Sequence, residues 1–198
     1  MRLFVALDID DGIRDRIARF LDGVRGFAPE ARWVRPESLH VTLKFIGEKS
    51  DDETDKIKRA LQMITADDFQ MNIRGCGFFP GTRAPRVFWI GVEADAKLAF
   101  LATTIDERLA ALSINIPKEE HPFNPHLTLA RGAGASTAPS KHKVRREQSG
   151  GLRKLQERLA ALSAPEFGTM TAREFFLYQS QLSPGGSKYT KLAGFTLH

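Results

Sequence analysis

Cysteine is nearly absent from this chain. Cys76, set in Gly75-Cys76-Gly77, is the single copy, which excludes an internal disulfide framework and any zinc site built on thiolates. Its setting suits a small buried hydrophobe better than a nucleophile. Long apolar runs are also missing, so no stretch spans a bilayer as a helix. The first apolar run, Leu3 to Leu7, is short and meets Asp8 and Asp10 at once; no leader peptide is expected, and the cytoplasm is the expected compartment. Low-complexity sequence is confined to 132–151, rich in Gly, Ala, Ser and Thr and then in Lys141, Lys143, Arg145 and Arg146, and it reads as a mobile basic loop.

What remains is an ordinary globular composition of 198 residues, 42% hydrophobic and 27% charged, enough for one domain or two small lobes sharing an interface. The net charge of +5 favours an anionic partner, of which nucleic acid is the commonest.

Periodicity orders the chain. Leu3 to Leu7 reads as a buried strand, and 11–24 as an amphipathic helix with Ile13, Ile17, Phe20, Leu21 and Val24 on one stripe. A strand covers about 39–46 and closes at Gly47. Ser50-Asp51-Asp52-Glu53 starts a second helix. Phe69, Met71 and Ile73 alternate as a strand does, Phe78-Phe79-Pro80-Gly81 turns, and 86–92 is another strand. A third helix carries Leu98, Leu101, Ile105 and Leu109. A strand follows Pro125, a fourth helix carries Leu152, Leu155 and Leu159, and a hairpin of 174–182 with 189–197 closes the chain. Short connections imply antiparallel pairing, so the expected class is α+β, a single two-lobed domain over 1–198 whose halves look duplicated.

Each half carries the same tetrad, His40-Val41-Thr42-Leu43 and His126-Leu127-Thr128-Leu129. In a strand, successive side chains alternate faces. Each tetrad therefore presents an imidazole and a hydroxyl to one side and anchors two apolar residues on the other. Two such pairs together supply two groups for proton transfer and two hydroxyls to hold an anion, which is a phosphoester site without a metal. A single copy would carry little weight, since two fixed positions in four arise by chance. A zinc set of His40, His121 and His126 is conceivable by ligand type, yet no carboxylate has the spacing to complete it. His121 is expected to shape the turn before the second tetrad. Gly132-x-Gly134 matches no specific phosphate loop.

The two tetrads resemble the 2H phosphoesterase superfamily. More closely, the chain is similar to the bacterial and archaeal RNA 2′,3′-cyclic phosphodiesterases, historically called 2′-5′ RNA ligases. The likeness runs from Met1-Arg2-Leu3-Phe4-Val5-Ala6-Leu7-Asp8 through Trp33-Val34-Arg35-Pro36 and both tetrads, Phe79-Pro80 and Pro85-Arg86-Val87-Phe88-Trp89, to Leu177-Tyr178-Gln179-Ser180 and Tyr189. It implies two pseudo-symmetric lobes, each an antiparallel sheet with outer helices, and an active-site cleft between them. It implies metal-independent opening of RNA 2′,3′-cyclic phosphate ends to 2′-phosphomonoesters by a monomer, with no cofactor. By the same resemblance His40 is the proton donor and His126 the acceptor, while Thr42, Thr128 and Arg131 bind the phosphate. The symmetry of the motif by itself permits the reverse order of the histidines.

Three points stay open at this level. Lys44 shares the phase of Thr42 and reads equally as a phosphate contact or a solvated strand-end lysine. Arg131 falls out of phase with His126, so its role needs a strand end or a bulge near Ala130. Phe4, Phe45 and Tyr178 are candidates to stack on a base, though aromatics in strands are more often core. One departure from the family is Asn124, where a basic residue is common. The alternatives are ATP-independent 2′-5′ joining of RNA ends, another cyclic phosphate as substrate, or an RNA-binding module that turns nothing over.

Overall fold

The computed structural model describes residues 1–81, 83–119, 121–132, 150–183 and 186–198. The expected mobile loop at 132–151 lies almost wholly outside them. The strands are β1 (Arg2–Leu7), β2 (Arg32–Trp33), β3 (Val41–Glu48), β4 (Phe69–Phe79), β5 (Val87–Ala94), β6 (His126–Arg131), β7 (Glu166–Ala172), β8 (Glu174–Ser183) and β9 (Gly186–Thr196). The helices are α1 (Asp11–Val24), α2 (Asp51–Gln62), α3 (Ala96–Ala110) and α4 (Gly150–Ala160). The α+β class stands, and α1 has the bounds that its apolar stripe predicts. Ser50 caps α2 with a full capping box to Glu53, the local reason the helix starts there.

Eight strands run in the order β7-β4-β5-β6-β3-β1-β8-β9, with β2 paired to β6 off that path, and every pairing is antiparallel. The order splits into two equivalent halves, β3-β1-β8-β9 and β6-β5-β4-β7. The two lobes implied by resemblance are therefore halves of one sheet, joined edge to edge where β3 meets β6. β7, which periodicity misses, closes the second half. Gly168, with φ +121, and a register shift on β4 interrupt its alternation, so Phe167, Met170 and Ala172 are the buried set.

The main core lies on the helical side of the sheet. Ile13, Ile17 and Leu21 of α1, Ile57 and Leu61 of α2, and Leu101, Ile105 and Leu109 of α3 are almost fully buried there, with Val5, Val41, Leu127 and Leu129 from the strands. Helices exchange between halves. α1 leaves β1 yet packs on the other half, where Phe20 meets Phe88 and Phe167 and Arg16 donates to the Phe167 carbonyl. α3 leaves β5 and packs against β3.

Both tetrad strands break their alternation at the same point. Opposite β1, Ala6 pairs with Thr42 and Val5 with Lys44, leaving Leu43 as a bulge. Opposite β5, Trp89 pairs with Thr128 and Phe88 with Ala130, leaving Leu129 as its counterpart. Each bulge puts two consecutive residues into the core and turns the following residue back to the other face.

That displacement settles Lys44, and neither sequence-level reading holds. Lys44 follows its bulge into the interior, where it is 2% exposed. Its Nζ lies 2.6 Å from the Asp106 Oδ1 of α3 and donates to the Pro117 carbonyl. Lys49 holds the Asn115 carbonyl in the same way at 2.7 Å. The two lysines thus tie the segment approaching the second tetrad to the strand of the first.

A buried charge is tolerable only while paired. Lys44→Met leaves Asp106 uncompensated and should cost about 3–5 kcal/mol in urea unfolding. The double change Lys44→Met with Asp106→Leu should cost clearly less than the sum of the two singles. Strict additivity would show that the pair is not coupled.

Candidate active site

The sheet is built so that the tetrads meet. β3 and β6 pair antiparallel through Val41 and Leu127, both fully buried. Carried one residue each way, that register sets His40 beside Thr128 and Thr42 beside His126. Those four side chains are half-buried on the face away from the helices. The bulges then return Phe45 and Arg131 to the same face at equivalent places in the two halves. The condition that Arg131 required is met, and Arg131 is close enough to act electrostatically on His40.

Both imidazoles are held alike. His40 Nδ1 lies 2.8 Å from the Ser38 carbonyl, and His126 Nδ1 lies 2.8 Å from the Asn124 carbonyl. A carbonyl only accepts, so each Nδ1 carries the proton. Nε2 is left as the working nitrogen of both rings. The contact belongs to the main chain two residues back, so Asn124 serves it as well as a basic residue would. Pro125 favours the extended backbone at Asn124 that aims this carbonyl. Before His40 the same service comes from a short 3-10 turn, Pro36–Ser38, followed by extended Leu39.

Arg14 fixes that turn. From α1 its guanidinium donates to the Pro36 carbonyl at 2.6 Å, to the Ile9 carbonyl at 3.0 Å and to the Asp8 carboxylate at 2.6 Å. One planar fork joins the end of β1, the start of α1 and the turn that aims His40. Sequence reading passes over Arg14, because a helical arginine looks like solvated surface.

Aromatic rings pack against both histidines. Phe4, 3% exposed, lies 4.8 Å from the His40 ring centroid and stacks on Tyr178 at 5.1 Å, and Tyr189 meets His40 edge-on at 5.1 Å. Phe79 meets His126 edge-on at 5.1 Å and stacks on Trp89. Trp89 lies across Gly77, where any Cβ would fall inside the indole, so glycine is required there. Of the three stacking candidates, Phe4 and Tyr178 are buried supports, while Phe45 is 57% exposed.

Electrostatics separate two otherwise matched histidines. Burial pushes the His40 imidazole below its ordinary value, against the pull of the Ser38 carbonyl and of Asp8, and His126 and Arg131 push the same way as burial. Burial alone would raise the Asp8 carboxyl, but Lys191, the Ile9 N–H and Arg14 together hold it below its usual range. Asp8 therefore stays anionic near His40, while burial, helped by the Asp8 charge, raises the Tyr178 phenol. His121 is exposed on a bend outside the site, and Cys76 is half-buried, its thiol raised by burial. Among the described residues no group of three or more His, Cys, Asp or Glu is placed to hold a metal ion, and no helix is long and apolar enough to cross a membrane.

The tautomers are directly measurable. In ¹⁵N-labelled protein at pH above the imidazole range, both His40 and His126 should show protonated Nδ1 and bare Nε2. Arg14→Ala should disturb the His40 signals and leave those of His126 in place. An Nε2–H tautomer at either ring would break the carbonyl-clamp account.

The sequence and the fold have counterparts. The model of the LigT-like phosphoesterase family matches residues 7–89. An RNA 2′,3′-cyclic phosphodiesterase of Archaeoglobus fulgidus is 34% identical over 98% of this chain and 99% of its own length. One from Thermus thermophilus is 32% identical over all of this chain and 90% of its own. Among solved structures, E. coli LigT complexed with 3′-AMP superposes with a TM-score of 0.75 at 27% identity, covering 99% of this chain and 97% of that one. With similarity of this extent on a matching fold, the chain belongs to the LigT-like family of RNA 2′,3′-cyclic phosphodiesterases.

Proposed function

We propose that this protein hydrolyses RNA ends carrying a 2′,3′-cyclic phosphate to 2′-phosphomonoesters, with His40 as general acid and His126 as general base. The observation that carries the reading is the single sheet face on which both tetrads present Nε2 and a hydroxyl. Both tetrads come from one chain, so a monomer is sufficient, and the proposed setting is the cytoplasm.

Water attacks phosphorus while His126 Nε2 accepts its proton. The P–O3′ bond breaks opposite the attack, and His40 Nε2 gives its proton to O3′, leaving a 3′-hydroxyl and a 2′-phosphate. In-line displacement needs the two imidazoles on opposite sides of phosphorus, and each half of the sheet contributes one of them. Thr42 and Thr128 donate to the non-bridging oxygens, and Arg131 counters the charge that builds on them. Every step uses groups of the chain, and no metal takes part.

Two asymmetries support this order of the histidines. Burial lowers the His40 imidazole, and the Asp8 charge opposes that and favours the protonated form an acid requires. The ribose stays bonded to phosphorus through O2′ and lies toward the departing O3′, the acid's side, and His40 lines a pocket of about 390 Å³, within the range of small-ligand sites.

A short RNA with a 2′,3′-cyclic phosphate, incubated in EDTA, should yield a 2′-phosphate end. His40→Ala and His126→Ala should each lose ~10²–10⁴-fold in rate. Loss of wild-type activity in EDTA, or full activity in either variant, would overturn the mechanism. The pH profile tests the order of roles. An acid must be protonated, so kcat/KM should fall as pH rises through the pKa of His40, which burial sets below the ordinary imidazole value. Asp8→Asn removes a charge that raises this pKa, so the alkaline limb should move to still lower pH. A limb that stays in place or moves up would remove Asp8 from the account.

A further inference from the structure

Two separate walls enclose the pocket at His40, the turn at 35–39 and the start of β9. The first is fixed from α1, where Arg14 donates to the Pro36 carbonyl at 2.6 Å and lies 3.5 Å from that of Leu39. The second belongs to an edge strand. β9 has β8 as its strand neighbour, and main-chain bonds of His198 with Ala66 and Asp68 pin the chain beyond its far end. Its near end, which brings Tyr189 to His40, reaches the other wall through a side chain, Lys191.

A third bulge puts Lys191 there. Opposite β8, Ala193 pairs with Leu177 and Lys191 with Tyr178, leaving Leu192 as the bulge. Leu192 and Ala193 both pack on the main core, so Lys191 turns to the pocket face beside Tyr178 and Tyr189. Its Nζ lies 2.7 Å from Asp8 Oδ2 and 3.9 Å from the Phe176 ring centroid. Asp8 Oδ1 is taken by Arg14 at 2.6 Å and by the Ile9 N–H at 2.9 Å. One carboxylate thus gives an oxygen to each wall. The other charged groups on the pocket rim, Arg35 and Glu37 of the turn and Lys188 of β9, are exposed.

We propose that Arg14, Asp8 and Lys191 form a clasp that holds the two walls of the His40 pocket together. Lys191 is then a positioning residue for the proposed reaction, on which this inference rests. It touches no reacting atom; it acts through Asp8 and through the wall that it draws in. Among the described residues, the charged or titratable groups facing His40 are Asp8, Tyr178 of β8, Tyr189 of β9, and His126 and Arg131 of β6. Loss of Lys191 admits water at the wall, which relieves the burial that lowers His40. It also leaves the Asp8 charge less offset, and both changes favour the protonated ring.

Titration of His40 in free, ¹⁵N-labelled protein tests the clasp apart from turnover. Lys191→Met should move its pKa up, opposite to the shift expected for Asp8→Asn, and Lys191→Arg should restore it. Calorimetry with uridine 2′-monophosphate should show about fivefold weaker binding in Lys191→Met, the upper end for a half-exposed ion pair. In the double variant with Asp8→Asn the loss should not exceed the larger single loss, since both changes break one link. A His40 pKa that stays in place or falls in Lys191→Met would overturn the clasp. So would losses that add, which would instead give Lys191 a direct contact with the phosphate. Hydrolysis of uridine 2′,3′-cyclic phosphate in EDTA separates the two readings. If it is cleaved while the His40 titration ignores Lys191, the clasp fails and the hydrolase stands. If it is not cleaved while the titration shifts as expected, the hydrolase fails and the clasp stands.

Discussion

The pairing of Val41 with Leu127 is the constraint on which the rest depends. It is one point of contact between the edges of two four-stranded halves, and both residues are fully buried. A slip of one residue in either strand would turn its histidine and threonine into the core and its apolar pair to solvent. Burial of Val41, Leu43, Leu127 and Leu129 under the helices therefore fixes the register of the polar face above them. The hydrophobic effect, which has no directional preference, here places two imidazoles and two hydroxyls side by side.

Within that frame the two halves repeat each other in backbone and differ in charge. Each imidazole is aimed by a carbonyl two residues upstream, and each tetrad ends in a bulged leucine. The environments then diverge. His40 has Asp8, a buried aromatic floor and a pocket; His126 has Phe79 and a Trp89 ring laid over Gly77. One symmetric scaffold thus holds two chemically distinct histidines, which acid–base catalysis needs and strict symmetry would deny.

Much of this was legible from residues alone. The tetrads, the stripe of α1 and the capping box at Ser50 are local signals, and local physics carried them into the structure. Residues displaced by a bulge were not legible. Strict alternation sends Lys44 to the cleft and Arg131 away from it, and the structure reverses both, because Leu43 and Leu129 each add a residue that period two does not count. Arg14 escaped for another reason: its partners are main-chain carbonyls, which have no sequence signature. β7 was hidden by Gly168, whose φ of +121 breaks the alternation that identifies a strand.

The half of the sheet that carries His40 joins both ends of the chain, since β1 pairs with β3 on one side and with β8 on the other. Tyr178 and Tyr189, which enclose His40, are made long after it. During synthesis from the N-terminus the first histidine therefore exists for most of that time without its walls. β1 and β3 can pair early, but the rings and the cation that complete the pocket dock only when the final hairpin arrives, a closure of high sequence separation and slow by nature. A nascent chain with both tetrads already translated is in this sense still unarmed, and competence comes with its last two strands.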